Sequence, residues 1–316
     1  MELIKYILGR LGRAMISLFL ILVIVFFLMR LLPVETYYGD RAEKMSEETK
    51  QAVLAELGLD DPIPVQLANY LKGLAKLDFG KSLTYYKGKP VWGIIAPKIS
   101  YSLRFGVASL ILSLFFGLSL GIVMTRFKGK FLDSLGNGFI LFINAVPAAV
   151  YYLFVQFMGT STLGISMLYD ESKWITWILP AISMSLGGIA SYAMWTRRYM
   201  VDQLNQDYVR LARAKGLTEK QIMVKHVLRN AFVPLAQNIP ASILFTISGS
   251  LYIESLYSIP GTGGLLIKAI NAQDNTLVQA LVLFYAVLSV VGMLLGDLAM
   301  MICDPRIKLT KKKGGR

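Results

Sequence analysis

Six long apolar stretches constrain this chain more than any other feature of its sequence. Each is close to the roughly twenty residues that a helix needs to cross about 30 Å of hydrocarbon. Their cores contain almost no charged residues. The stretches cover residues 11–32, 105–125, 136–157, 174–196, 236–257 and 275–303. The sequence therefore predicts an all-α, polytopic membrane protein with six transmembrane helices.

The composition agrees with a membrane protein. Of the 316 residues, 55% are hydrophobic and 17% are charged, whereas soluble domains are about one quarter charged. The net charge of +13 comes from bases that separate the apolar stretches and form no single patch. We therefore expect a lipid bilayer as the partner and no nucleic acid. The single cysteine, Cys303, excludes an intramolecular disulfide framework and any cysteine-based metal cluster.

The first apolar stretch has a second interpretation. Lys5, Arg10 and Arg13 precede it, as basic residues precede the core of a secretory signal peptide. No small-x-small cleavage site follows, because residues 31–35 read Leu-Leu-Pro-Val-Glu. The sequence therefore favours a retained transmembrane helix.

The distribution of Lys and Arg predicts the orientation in the membrane. Six crossings would place residues 1–13, 126–130, 197–235 and 304–316 on one side, and these hold 20 of the 33 basic residues. The short loops of the other side hold two, and the nine in the long loop count little for orientation. We therefore expect both termini in the cytoplasm.

This topology divides the chain into four parts. They are an N-terminal segment with the first transmembrane helix (1–32), an external polar loop domain (33–100), a five-helix core (101–303) that includes the cytoplasmic loop 197–235, and a basic cytoplasmic tail (304–316). In the loop domain, Ser46 is a candidate N-cap, and Leu67, Leu71 and Leu74 follow the spacing of a second helix.

The cytoplasmic loop predicts two short helices around a hinge. Asp207 suits the positive end of the first helix dipole, and Gly216 stands where a left-handed C-terminal cap would follow. Thr218 and Gln221 form a capping-box pattern that starts the second helix. On spacing alone, an ordinary basic loop explains the segment equally well.

The identity of the residues in this loop separates the two interpretations. Residues 207–234, DYVRLARAKGLTEKQIMVKHVLRNAFVP, resemble the EAA coupling loop of ABC-transporter permeases, in the version found in oligopeptide, dipeptide and nickel importers. Arg210 and Leu211 replace the first two letters of the Glu-Ala-Ala start, as the peptide branch tends to show, and Ala212 fits the third. Further segments resemble the same family, namely residues 58–62, 79–82, 254–261 and 304–306.

The resemblance implies the partners and the coupling residues. It implies a multi-pass protein of a bacterial-type plasma (inner) membrane. In this family the loop docks on a separate cytoplasmic ATPase. The chain would pair with a second permease, often as a heterodimer, and with two ABC ATPases and an extracytoplasmic substrate-binding protein. ATP and Mg would be bound by the ATPases, and no cofactor by this chain. The implied coupling residues are Tyr208, Arg210, Ala212, Arg213, Ala214, Lys215, Gly216, Leu217, Ile222, Met223 and His226.

A catalytic role has little support in the sequence. The only histidine, His226, lies in the basic loop, so neither a HExxH zinc site nor a Ser-His-Asp set can form in the membrane. Gly80-Lys81-Ser82 imitates the end of a phosphate-binding loop, but Ala75 stands where that motif needs a glycine. We expect no catalytic, cofactor-binding or metal-binding residues.

Several polar residues in the apolar stretches are candidates to line a pathway or to bond between helices, and the sequence does not separate these roles. They are Asn144, Gln156, Gln237 and Asn238. Glu254 and Asp297 lie near the ends of their stretches. The ion relay of a secondary transporter needs ionisable groups in the stretch cores, so an external energy source is favoured.

The sequence and the resemblance together predict half of the translocation pathway of a binding-protein-dependent, ATP-driven importer. The implied substrate is an oligopeptide or dipeptide. Nickel complexes or glutathione remain alternatives for the same importer type. An ion-driven secondary transporter and a membrane assembly scaffold remain alternatives from other classes.

Overall fold

The computed structural model describes residues 2–38, 45–248 and 250–303, without the side chains of residues 2–8, 36, 56, 237, 241, 245–248 and 299–303. The predicted tail and its Asp304-Pro305-Arg306 ending therefore lie outside the described residues. The described chain is helical, with one isolated β-bridge between Lys81 and Pro90.

Thirteen α-helices follow one another along the described residues. They are α1 (Glu2–Arg30), α2 (Glu47–Glu56), α3 (Ile63–Ala75), α4 (Val91–Arg126), α5 (Phe131–Ala145), α6 (Ala148–Leu163), α7 (Ile178–Leu204), α8 (Asp207–Ala214), α9 (Glu219–Gln221), α10 (Arg229–Ser248), α11 (Leu251–Leu256), α12 (Thr262–Asn271) and α13 (Asn275–Cys303). Short 3₁₀ helices cover Val34–Tyr37 and Trp174–Trp177. A π-helical segment, Ile222–Leu228, joins α9 to α10.

Four helices of the described chain are long and apolar enough to cross a membrane, and a bent pair raises the number to five if it forms one span. The four are Gly9–Arg30, Val91–Arg126, Trp174–Leu204 and Asn275–Leu298. The pair is α5 and α6, which meet at 109°. Pro147 precedes α6 with φ −53° and ψ 133°, and the chain bends sharply between the two helices at this proline.

The predicted span over residues 236–257 is wrong as a single continuous helix. Helix α10 ends at Ser248, and α11 begins only at Leu251. The Ser250 side chain accepts a hydrogen bond of 3.3 Å from the backbone N–H of Ile253. This N-cap starts a new helix and separates α11 from α10.

Small residues allow α4 and α7 to pack closely. A Cβ atom added at Gly117 would lie 2.7 Å from the Cβ of Tyr192, and one at Gly121 would lie 2.6 Å from the Cβ of Thr196. Only glycine permits these two approaches. Helix α7, which leads into the 197–235 loop, is thus held against α4.

The two helices predicted in the loop domain are present as α2 and α3. Ser46 caps α2 by accepting a bond of 3.3 Å from the N–H of Thr49. The Gln66 side chain of α3 is buried and accepts a bond of 2.6 Å from Nε of Arg30. This bond ties the loop domain to the end of α1.

The segment after α3 is fixed by a distant carboxylate, Asp274. Its side chain is fully buried and accepts a hydrogen bond from the hydroxyl of Ser82. It also accepts bonds from the backbone N–H groups of Thr84, at 3.2 Å, and Tyr85, at 3.1 Å. Ser82, which imitates the end of a phosphate-binding loop in the sequence, therefore serves to anchor this loop to the start of α13.

Candidate functional site

Helix α8 ends in the left-handed turn that the sequence predicts. Gly216 has φ +78°. Its N–H donates to the carbonyl of Arg213 at 2.9 Å, and the N–H of Leu217 donates to the carbonyl of Ala212 at 3.2 Å. These two bonds are the Schellman pattern. The turn directs the chain away from α8, and the predicted cap is confirmed.

The capping box at the start of the second helix is also confirmed. The hydroxyl of Thr218 accepts a bond of 3.3 Å from the N–H of Gln221, and the Gln221 side chain accepts one of 3.0 Å from the N–H of Thr218. The box satisfies backbone donors that a helix N-terminus otherwise leaves unpaired. Both ends of the turn between α8 and α9 are therefore closed by local bonds.

The sequence did not indicate the π-helical segment that follows. In a π-helix each N–H bonds to the carbonyl five residues earlier, so residues five apart lie close to one face. Ile222 and Val227 are five apart, and both are fully buried. Val224, between them, is 55% exposed. The π geometry thus separates an inner and an outer face.

A hydrophobic cluster forms the inner face of this segment. Its buried members are Met200, Val209, Ala212, Ile222, Val227 and Ala231, and Ile122 of α4 packs against them. Helices α4 and α7 both supply side chains to the cluster. The segment is therefore packed directly against two long apolar helices.

This packing corrects part of the predicted contact set. Ala212 and Ile222 are buried in the cluster, so neither side chain reaches a partner surface. Five predicted coupling residues are exposed, and four are partly exposed. The exposed ones are Arg210, Arg213, Ala214, Lys215 and Gly216, and the partly exposed ones are Tyr208, Leu217, Met223 and His226.

Two exposed apolar side chains were missing from the predicted set. Leu211 is 56% exposed and Val224 is 55% exposed. The sequence signal for them was weak, because Leu211 stands beside a buried alanine and α-helical spacing does not assign Val224 to the outer face. Together with the bases around them, they give the outer face an apolar and positively charged character.

Ion pairs order the outer face. Arg213 donates bonds of 2.8 Å and 3.4 Å to the two carboxylate oxygens of Glu219. The bond to Glu219 raises the pKa of Arg213 above its ordinary value, so this side chain stays charged. Nη1 of Arg210 lies 3.3 Å from Oδ1 of Asp207. The exposed side chains of Lys215, Lys220 and Lys225 form no ion pair within the part of the chain that the structure describes.

A partly buried ion pair holds α7, the helix that leads into the segment. Nε and Nη2 of Arg197 donate to the two carboxylate oxygens of Asp133 at 2.6 Å and 2.8 Å. The N–H of Gly129 donates to the same carboxylate at 2.9 Å. Asp133 is only 3% exposed, and sequence reasoning did not single it out. It joins the 126–130 turn to α7.

The candidate pathway residues lie in different environments in the structure. Gln156 is buried, and its amide donates to the carbonyls of Met167, at 2.9 Å, and Leu256, at 3.2 Å. These bonds agree with the second role considered for Gln156, which is hydrogen bonding between segments. Asn144 and Asn238 are exposed. The side chain of Gln237 lies outside the described part of the chain.

Glu254 lies deeper than its position near the end of a predicted span suggested. It is 1% exposed, and its carboxylate accepts bonds of 2.7 Å from the hydroxyl of Ser102 and 2.9 Å from the N–H of Gly264. A Cβ added at Gly261 would lie 2.3 Å from this carboxylate. Glu254 therefore fixes the 254–264 turn to α4.

Two family descriptions match the chain. Residues 117–309 match the family described as binding-protein-dependent transport system inner membrane component. Residues 3–103 match the N-terminal family of the same membrane components. The first match covers all of the 207–228 segment.

Curated relatives agree with this match. The oligopeptide transport system permease protein AmiC of Streptococcus pneumoniae is 41% identical over 211 residues, which cover 66% of this chain and 42% of the relative. The chain thus spans less than half the length of that relative. The dipeptide transport system permease protein DppB of Lactococcus lactis is 32% identical, over 97% of this chain and 100% of the relative. The glutathione transport system permease protein GsiC of Salmonella typhimurium is 29% identical, over 96% and 99%.

A solved structure supports the fold. The chain is similar to a chain of the MetNI methionine ABC transporter in its inward-facing conformations, with a TM-score of 0.52 and 13% identity. The likeness covers 67% of this chain and 96% of the other. At this identity it bears on the fold alone.

Proposed function

The chain belongs to the family of binding-protein-dependent transport system inner membrane components, and from this premise we propose that it is a permease subunit of an ATP-driven peptide importer. It forms half of the translocation pathway and hydrolyses no ATP itself. The surface formed by α8, α9 and the π-helical segment, which we call the coupling surface, docks on a separate ATPase.

The geometry of the coupling surface is the observation that carries this proposal. Its inner face is packed against α4 and α7 by the cluster around Ile222. Its outer face presents Leu211 and Val224 among exposed bases. Apolar contacts give an interface its affinity, and charges set its register and the rate of encounter. A rigid inner attachment lets a movement of the partner reach the membrane helices.

The proposed topology has six crossings, with both termini and the coupling surface in the cytoplasm. Helix α10 is the sixth crossing, alongside the four long spans and the α5–α6 pair. Helices α11 and α12 lie on the external side, because Asp274 ties the loop after α12 to residues 82–85 of the loop domain. The excess of Lys and Arg in the short loops of the opposite side supports this orientation.

The proposed assembly has four further parts. They are a second permease chain, two ABC ATPases that bind ATP and Mg, and an extracytoplasmic protein that delivers the substrate. This chain supplies no catalytic, cofactor or metal-binding residue to the assembly. Asn144 and Asn238, which are exposed, are available either to the pathway or to the second permease.

Peptides are the proposed substrate because AmiC and DppB are named for oligopeptide and dipeptide transport. Glutathione is a second candidate, since the relative GsiC is named for it. Uptake of a peptide library, glutathione and a nickel complex by the reconstituted complex would separate these substrates. The expected result is uptake of peptides but not of glutathione or the nickel complex.

The docking role is tested by co-purification. The full chain is expressed with the second permease and the ATPases, and one ATPase carries an affinity tag. We expect the chain to be retained with the tagged ATPase. The variant Val224→Asp should be lost from that complex, whereas Lys128→Gln, an exposed base on the 126–130 turn, should be retained. Equal retention of both variants would contradict docking through the coupling surface.

A further inference from the structure

A cavity of about 330 Å³ lies between α1 and α13, away from the coupling surface. Helix α1 lines it with Arg10, Arg13, Ala14 and Ser17, and α13 lines it with Val290, Met293, Leu294 and Asp297. On each helix these positions follow the spacing i, i+3, i+4 and i+7, which is one continuous face. Two helix faces thus form the walls, each about two turns long.

The charges of this cavity are concentrated at one end. Arg10 and Asp297 form an ion pair that joins the N-terminal part of α1 to the C-terminal part of α13. Arg13 is one turn further along α1. The remaining lining residues are small or apolar apart from Ser17. The cavity therefore has a charged end and an apolar end.

The charged end carries a positive charge that faces solvent or lipid. Arg13 is exposed, and no carboxylate forms an ion pair with it among the side chains that the structure describes. Asp297 has a side chain only 10% exposed and already contacts Arg10. With two arginines and one carboxylate, the lining has a net charge of +1.

The apolar end opens toward the region that lipid chains occupy. Met293, on the cavity wall, is 58% exposed, and Ile16, beside the α1 wall, is 61% exposed. Both lie in helices long and apolar enough to span a membrane. A cavity of this volume holds a headgroup and glycerol but not two acyl chains, so the chains would remain in the bilayer.

From this arrangement we propose that the cavity between α1 and α13 binds the headgroup of an anionic phospholipid. The Arg13 guanidinium donates hydrogen bonds to the phosphate, which matches the planar fork of arginine. The first carbons of the acyl chain lie along Ala14, Met293 and Leu294. Basic cavities between membrane helices suit such headgroups. The lipid would join α1 to the five-helix core.

Native mass spectrometry of the purified full chain tests this proposal. The protein is titrated with phosphatidylglycerol and, separately, with zwitterionic phosphatidylcholine, which has the same phosphate but no net charge. We expect tighter binding of phosphatidylglycerol. Arg13→Gln should weaken this binding about fivefold, the effect expected for one basic residue near a lipid surface. Lys128→Gln, an exposed base in another turn, should leave it unchanged.

A second variant and a competitor keep the result interpretable. Ala14→Phe fills the cavity and should reduce the binding of both lipids, even if Arg13→Gln proves too unstable to purify. Inorganic phosphate at millimolar concentration should not displace phosphatidylglycerol, because it lacks the apolar part. Unchanged binding in Ala14→Phe, equal loss in Arg13→Gln and Lys128→Gln, or displacement by phosphate alone would each overturn a lipid site here.

Discussion

Arg213 donates a hydrogen bond of 2.8 Å to Glu219 across the turn made by Gly216. The bond joins the last turn of α8 to the first residue of α9. With the Schellman bonds and the capping box, it fixes the angle between the two short helices. Because both side chains are exposed, the bond sets geometry more than it contributes stability. The angle of the coupling surface is therefore built from local contacts.

Substitution of Gly216 tests the importance of this angle. A Cβ at this position would meet nothing within 4 Å, so the cost of Gly216→Val arises from the backbone alone. A β-branched residue at φ +78° is strained by roughly 1–2 kcal/mol or more. We expect normal membrane insertion but reduced substrate-stimulated ATP hydrolysis by the assembled complex.

The matched controls for Gly216→Val are Gly216→Asn and Gly138→Val. Asparagine tolerates left-handed backbone, so Gly216→Asn should retain most of the activity. Gly138 also has open space around it but has no positive φ, so its valine variant should behave as wild type. Full activity of Gly216→Val would show that the hinge geometry is not needed.

Two aspartate variants in the π-helical segment separate packing from docking. Ile222 is fully buried, so Ile222→Asp places an unpaired carboxylate in the inner cluster and should destabilise the protein by roughly 3 kcal/mol or more. Val224 is 55% exposed, so Val224→Asp should fold normally and lose only the ATPase. Thermal unfolding in detergent and ATPase pull-down measure the two effects. A stable Ile222→Asp, or an unstable Val224→Asp, would contradict the inner and outer faces assigned here.

Asp274 provides a test on the opposite side of the molecule. Its buried carboxylate accepts bonds from Ser82 and from the backbone of residues 83–85. Asp274→Ala leaves these donors unpaired at a cost of roughly 1–3 kcal/mol. We expect faster proteolysis within residues 80–88. Asp60→Ala, an exposed aspartate of the same domain, is the control, and equal proteolysis in both variants would count against the anchor.

The orientation is tested by labelling introduced cysteines with a membrane-impermeant maleimide in intact cells. In a Cys303→Ser background, Lys173→Cys should be labelled from outside, whereas Lys128→Cys should be labelled only after the membrane is opened. Both positions are exposed. The reverse pattern would place the coupling surface outside the cell and remove its ATPase from reach.

Local signals explain why much of the coupling surface was predictable. The positive φ of Gly216 and the Thr218–Gln221 capping box depend on residues within five positions of one another. Such local patterns can be recognised in the sequence alone. The π-helical segment was not predictable, because the hydrogen-bond register of Ile222 and Val227 is set by packing against Met200 and Val209. Ile222 was assigned to the partner because the family resemblance implied it, and the resemblance does not show this packing.

Long-range partners account for the other differences. Asp274 bonds residues almost two hundred positions earlier, and Glu254 bonds Ser102. Neither pairing leaves a spacing pattern in one sequence. Hydropathy likewise placed one span over 236–257, since it does not register the cap at Ser250 that separates α11 from α10. The apolar stretches and the family resemblance could be recognised from the sequence, whereas the buried polar contacts could not be predicted from it.

Uptake of labelled peptide into proteoliposomes tests the central claim most directly. Vesicles carry the full chain alone, or the chain with the second permease, the ATPases and the external binding protein, each loaded with ATP or with a nonhydrolysable analogue. We predict uptake only in the complete assembly with ATP, and background uptake by the chain alone under proton or sodium gradients. Gradient-driven uptake by this chain alone would contradict the account and identify a secondary transporter.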